Sequence, residues 1–115
     1  MRGIIILVLL VAFLTSPAAG LTGNELQEFC SAPESSSKNV ACTTYVSGFV
    51  AGIETGEGTK RKDTRMWCFP DGATIGQARL IIEKYMRDNP QSLHQGAPVI
   101  AGKALLSAFP CKNSN

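Results

Sequence analysis

The residues of this chain able to form bonds, hold a metal or move a proton are four cysteines, one histidine and a scatter of carboxylates. Cys30, Cys42, Cys68 and Cys111 include no Cys-x-x-Cys pair. With His94 as the single histidine, they do not match a zinc site, and a redox-active dithiol fails on the same spacing. An even cysteine count in a short exported chain reads as two disulfides. His94 stands in a short polar connection, Ser92-Leu93-His94-Gln95, which suits a surface residue better than a base. Ser47 lies in Tyr-Val-Ser-Gly-Phe, which is not the Gly-x-Ser-x-Gly elbow of a serine nucleophile. Glu25, Glu28, Glu54, Glu57, Glu83 and Asp88 fall mostly on outer faces of helical patterns. No glycine-rich phosphate loop leads into a Lys-Ser or Lys-Thr pair. The sequence therefore predicts no catalytic residues, no metal and no cofactor, and favours a binding role over an enzyme.

Length and composition narrow the class. At 115 residues the chain is one domain at most, too short for a two-domain dinucleotide enzyme or a barrel. A formal charge of +2 lacks the basic surplus that phosphate binding needs, so nucleic acid is not the expected partner. A hydrophobic fraction of 44% is that of a folded rather than a disordered chain. Residues 1–20 read as a cleaved secretory signal: Arg2, the apolar run Ile4 to Leu14, then Ser16-Pro17-Ala18-Ala19-Gly20. That run is about half the roughly 20 residues a spanning helix needs, and no later stretch is longer. Residues 21–115 then form a single exported domain with no membrane contact after cleavage. Removing residues 1–20 from 115 leaves 95, with a charge of +1 once Arg2 is gone.

The elements that position these residues read as helices. Thr22 and Glu25 make a capping box, with Leu21 and Leu26 placed as its hydrophobic staple, starting a helix that runs to about Cys30. Ser31 to Lys38, with Pro33 and the run Ser35-Ser36-Ser37, has loop composition. Val40 to Ile53 repeats Tyr45, Phe49, Ile53 and Val46, Val50 at helical spacing. Trp67-Cys68-Phe69-Pro70-Asp71-Gly72 is a turn anchored by a bridge. Thr74 and Gln77 form a second capping box, and Ile75, Ala78, Ile82, Tyr85 and Met86 mark the buried face of a helix ending near Asp88. Pro90 then sits where a helical stretch begins, and Pro98 restarts or bends it. The apolar segment around Val99, Ala101, Ala104, Leu105, Leu106, Ala108 and Phe109 makes a final helix that Pro110 stops. No segment alternates convincingly with period two. The expected fold is all-α, a small bundle of four to five short helices stapled by two disulfides.

Two features call for explanation by contact. Gly48, Gly52 and Gly56 recur every four residues and share one helix face. Each costs about 1 kcal/mol against alanine in a helix interior. Close packing of another helix would account for them, and a homodimer seam is the alternative. Gly56 to Arg65 reads as a loop, and Lys60, Arg61, Lys62 and Arg65 on it are the candidate partner-binding residues, alongside the plain reading of a solvated loop. Four cysteines allow three pairings. Cys30 ends the first helix and Cys42 begins the second, while Cys68 precedes the third and Cys111 follows the last. The preferred pairing is thus Cys30–Cys42 with Cys68–Cys111.

The order of blocks resembles a known family. Gly-Asn-Glu-Leu leads to Cys30. Cys42-Thr-Thr-Tyr-Val-Ser-Gly-Phe-Val-Ala-Gly follows, then Trp67-Cys-Phe-Pro-Asp-Gly-Ala-Thr, Lys84-Tyr-Met with Asn89-Pro90, and Ala104-Leu-Leu-Ser-Ala-Phe-Pro-Cys111. This resembles the Rap/Tai immunity proteins of type VI secretion systems over the whole mature chain. The resemblance implies a periplasmic, disulfide-bonded helical protein, dimeric, that binds and plugs a papain-like peptidoglycan amidase effector. The matched motifs are scaffold motifs and assign no contact residue. Two other classes fit less well. An acid-activated helical chaperone wants more titrating groups than one histidine beside two bridges supply. A saposin-like lipid binder is better served by six cysteines.

Overall fold

The computed structural model describes residues 20–112. The signal segment expected at residues 1–20 lies, apart from Gly20, outside the described residues. Four α-helices follow in order: α1 (Gly23–Ser31), α2 (Ser37–Gly58), α3 (Ile75–Asp88) and α4 (Ala97–Ala108). Short 3-10 turns occupy Lys62–Thr64 and Pro90–Ser92. Among the described residues there is no strand, only isolated bridges at Thr22 with Gly96 and Trp67 with Pro110.

Both capping boxes form as the sequence predicts. Thr22 Oγ1 accepts the Glu25 amide at 3.2 Å, and Glu25 Oε2 accepts the Thr22 amide at 2.8 Å. Thr74 and Gln77 repeat the exchange at 3.1 and 2.8 Å. Each box satisfies two amides that a helix start leaves without partners. At α2 the serine-rich stretch does more than form a loop. Ser36 accepts the Asn39 amide at 3.2 Å, so the helix begins at Ser37 rather than Val40. It also continues past Ile53 to Gly58. Tyr45, Phe49, Ile53 and Glu57 keep one half-buried row in phase over those extra turns, and this packing outweighs the poor helix propensity of Gly52, Gly56 and Gly58. Pro90 opens a single 3-10 turn rather than a longer helix, and Pro98 falls within the first turn of α4, where a missing amide is harmless.

One core joins all four helices. Leu26, Val46, Val50, Ile82, Met86, Ile100 and Leu105 are its large buried side chains. Val99 and Leu106 of the apolar final segment turn outward instead. The disulfides are Cys30–Cys42 and Cys68–Cys111, the pairing expected from helix order. The first closes the α1–α2 hairpin. The second ties the strand-like entry to α3 to the exit of α4, where Cys68 N donates to Phe109 O at 3.0 Å and Cys111 N to Met66 O at 3.4 Å. Trp67 and Phe109 both pack against Phe69 there, with ring centroids 5.4 and 5.2 Å from it.

A polar clamp spans the hairpin. Arg79 on α3 donates to Asn39 Oδ1 at 3.0 Å, Thr43 Oγ1 at 2.7 Å and the Cys30 carbonyl at 3.1 Å, and pairs with Glu83 at 3.4 Å. Asn39 in turn donates to the Ala32 carbonyl at 2.8 Å. One guanidinium thus fastens α1, α2 and α3 beside the first disulfide. Glycine is needed at two places. A Cβ on Gly23 would stand 2.9 Å from the Leu93 carbonyl, because α1 starts against the 93–97 segment. Gly72 has φ of +82° in the Pro-Asp-Gly turn.

Candidate protein-binding site

The candidate loop leaves the end of α2 and returns to the core at Trp67. Its geometry is set by one carboxylate. Glu57 Oε2 accepts the Met66 amide at 2.9 Å, and Oε1 meets Lys60 Nζ at 2.7 Å. The Lys60 hydrogen bond, with those from the Met66 and Trp67 amides, holds the Glu57 carboxyl below its ordinary pKa. Between these anchors the 3-10 turn closes through Thr64 N to Arg61 O at 3.0 Å, and Thr64 Oγ1 donates to the same carbonyl at 2.8 Å. The loop is therefore a closed structure pinned at its base.

The structure separates the roles of the four basic residues. Lys60 is engaged by Glu57. Arg61 pairs with Asp63 at 2.8 Å, an exposed contact that holds the Asp63 carboxyl below its ordinary value. Arg65 reaches back to the Gly58 carbonyl at 3.5 Å. Lys62 is exposed and makes no ion pair among the described residues. From 57 to 66 four cations face two carboxylates, Glu57 and Asp63, so the loop carries +2. Exposed pairs of this kind contribute little stability, and their effect on an approaching partner is the larger one.

Gly48, Gly52 and Gly56 do not pack against another helix of this chain. All three are exposed, and a Cβ on any of them would meet no atom within 4 Å. The expectation of internal helix packing across them is corrected on that ground. They instead line a shallow groove of about 470 Å³ beside Phe49, Ile53 and Lys60. Opposite, across the ridge of Phe49 and Ile53, lies a smaller pocket of about 200 Å³ between α2 and α4, bounded by Trp67, Gly102, Leu105 and Leu106. This pocket was not foreseen. Gly102 in an otherwise apolar helix was the available signal, and it carries the same helix cost that drew attention to the other glycines.

Of the residues with potential chemistry, all four cysteines are bonded to one another. Cys30, Cys42 and Glu83 come within 4.8 Å of one another, but both sulfurs belong to a disulfide and offer no thiolate. His94 and Ser47 are both exposed, on different elements. No helix among the described residues is long and apolar enough to cross a membrane.

A small helical scaffold held by two disulfides and a polar clamp, presenting a pinned basic loop beside an apolar pocket, has the architecture of a protein that binds another protein. The family model of Rap1a immunity proteins matches residues 22–111, almost the whole described chain. The chain belongs to the Rap1a immunity protein family. No curated protein and no solved structure matches it. Membership makes it an immunity protein directed at a toxic effector, in a family that is in general not enzymatic.

Proposed function

We propose that this protein is exported to the periplasm through a cleaved signal at residues 1–20. There its domain, residues 21–115, binds a type VI secretion peptidoglycan amidase and occludes its active-site cleft. The observation that carries this reading is the Glu57-anchored loop, closed before any partner arrives. A loop held in one shape loses little conformational entropy on docking, so more of its contact energy appears as affinity. Its surplus positive charge, with Lys62 free, would speed encounter with an acidic cleft rim. Export is supported by the two disulfides, which persist in oxidising compartments.

The open face of Gly48, Gly52 and Gly56 supports a second part of the reading, assembly as a homodimer. Three glycines on an exposed helix face cost stability within the monomer without any contact there that needs them. A second backbone brought close would use the missing side chains.

The test is co-expression with the product of the neighbouring reading frame, followed by co-purification and a peptidoglycan-hydrolysis assay. A stable complex without hydrolysis is expected. Reversing Lys60, Arg61 and Lys62 together should weaken that complex and flatten its salt dependence. Unchanged affinity and unchanged salt dependence would remove the loop from the interface.

A further inference from the structure

Gly102 lines the pocket between α2 and α4 and sets no side chain into it. A Cβ at Gly102 would find only Phe49 Cζ, at 3.9 Å, which is ordinary contact. Nothing in the chain's own packing therefore excludes alanine there, and alanine would favour the helix. The pocket is walled almost entirely by apolar groups: Phe49 and Ile53 from α2, Leu105 and Leu106 from α4, and Trp67, itself only 6% exposed. Met66 at the rim is 62% exposed and Leu106 is 37% exposed. Apolar surface of this kind, open at a rim, is the usual anchor point of a protein interface.

The surroundings define what fits. The basic loop leaves the pocket wall at Glu57 and returns to it at Met66. Glu57 is the carboxylate of the wall, and its oxygens are already occupied by Lys60 and the Met66 amide. With Lys60 paired to Glu57 and Arg61 to Asp63, the surplus charge an arriving chain meets is that of Lys62 and Arg65. We propose that this pocket takes one leucine- or phenylalanine-sized side chain from an acidic segment of the protein partner. The proposal rests on the reading that this chain binds a protein effector, and it assigns the anchor of that contact. The loop supplies attraction at distance, and the pocket supplies the buried contact that slows dissociation.

Trp67 is the single tryptophan of the chain, so its indole gives one resolved reporter in the pocket wall. The probes are a blocked acidic pentapeptide with a central leucine, the same peptide with serine at the centre, and one with lysines in place of its acids. Each is titrated into the isotope-labelled protein, at up to several millimolar. The leucine peptide should shift the Trp67 indole resonance saturably, and both control peptides should shift it much less. Gly102→Leu, which fills the pocket, should weaken the leucine peptide by about tenfold or more. Gly102→Ala, a smaller filling that the spacing to Phe49 accommodates, should weaken it less while raising thermal stability. Higher stability with lower affinity is the signature of a pocket kept for binding.

No shift of Trp67 with the leucine peptide would overturn the proposal. So would equal shifts from the serine peptide, or undiminished binding by Gly102→Leu. These outcomes are independent of the co-purification assay. An amidase complex that forms equally well with Gly102→Leu would remove the anchor and leave the immunity reading standing.

Discussion

The Glu57 carboxylate accepts the amide of Met66, nine positions further on, at 2.9 Å and closes the loop at its base. The order of the basic loop depends on this bond more than on the exposed ion pairs along it. Glu57→Gln keeps an acceptor but removes the charge that draws Lys60, so Met66 and Trp67 amides should exchange measurably faster while the four-helix core is unaffected. Amide exchange followed by NMR would check it. Uniform loss of protection across all helices would mean Glu57 supports the whole fold.

The same latch sets a pH dependence. Glu57 and Asp63 both sit below their ordinary pKa in the folded chain, through Lys60 and Arg61 respectively. As pH falls, the unfolded chain therefore takes up these protons first. Any contribution from the pair is complete above the ordinary carboxylate range and is lost as pH drops through the folded-state values. Titration of the Met66 amide shift should show the loop loosening only in acid, with no change between pH 6 and 8.

Arg79 should be the most sensitive polar position. Arg79→Leu leaves Asn39 Oδ1 and the Cys30 carbonyl without their donor in a partly buried setting, and should destabilise the fold by about 2–3 kcal/mol in urea unfolding. Arg79→Lys should recover little, because an ammonium cannot reach three separated acceptors in a plane.

The two disulfides should differ in weight. Cys68–Cys111 spans 43 residues and Cys30–Cys42 spans 12. Loop-closure entropy then gives about 4 and about 3 kcal/mol respectively. Replacing Cys68 and Cys111 by serine should lower stability by about 1 kcal/mol more than replacing the other pair, as read from chemical denaturation.

Glycines of opposite function should respond oppositely. Gly23→Ala forces a Cβ to 2.9 Å from the Leu93 carbonyl and should destabilise by about 1–3 kcal/mol. Gly52→Ala, with nothing within 4 Å, should stabilise the monomer by up to about 1 kcal/mol. If α2 is a dimer seam, Gly52→Leu should shift sedimentation toward monomer. A dimer that survives it would place the seam elsewhere.

Local chemistry was the part of the fold legible in the sequence. Thr22 with Glu25 and Thr74 with Gln77 name their own helix starts, because a capping box is written in four consecutive residues. Helix order also sufficed to pair the cysteines. What could not be read depends on distant partners. Arg79 looks like any charged residue on a helix until Asn39, 40 positions earlier in the chain, is brought beside it. The far end of α2 was hidden by its glycines, since its continuation rests on Phe49, Ile53 and Glu57 meeting α4 and the loop. The spacing of Gly48, Gly52 and Gly56 showed that they share a face but not which way it points. The basic residues of the loop were evident from composition, whereas their division into engaged and free cations required Glu57 and Asp63 to be placed.

We propose that this immunity protein silences a peptidoglycan amidase by binding it. One titration of the purified protein into the purified product of the neighbouring reading frame, with peptidoglycan hydrolysis as the readout, tests this directly. Hydrolysis should fall to background at a fixed stoichiometry, with a complex of that stoichiometry isolated in parallel. Full hydrolysis in the presence of excess folded, disulfide-bonded protein would contradict it.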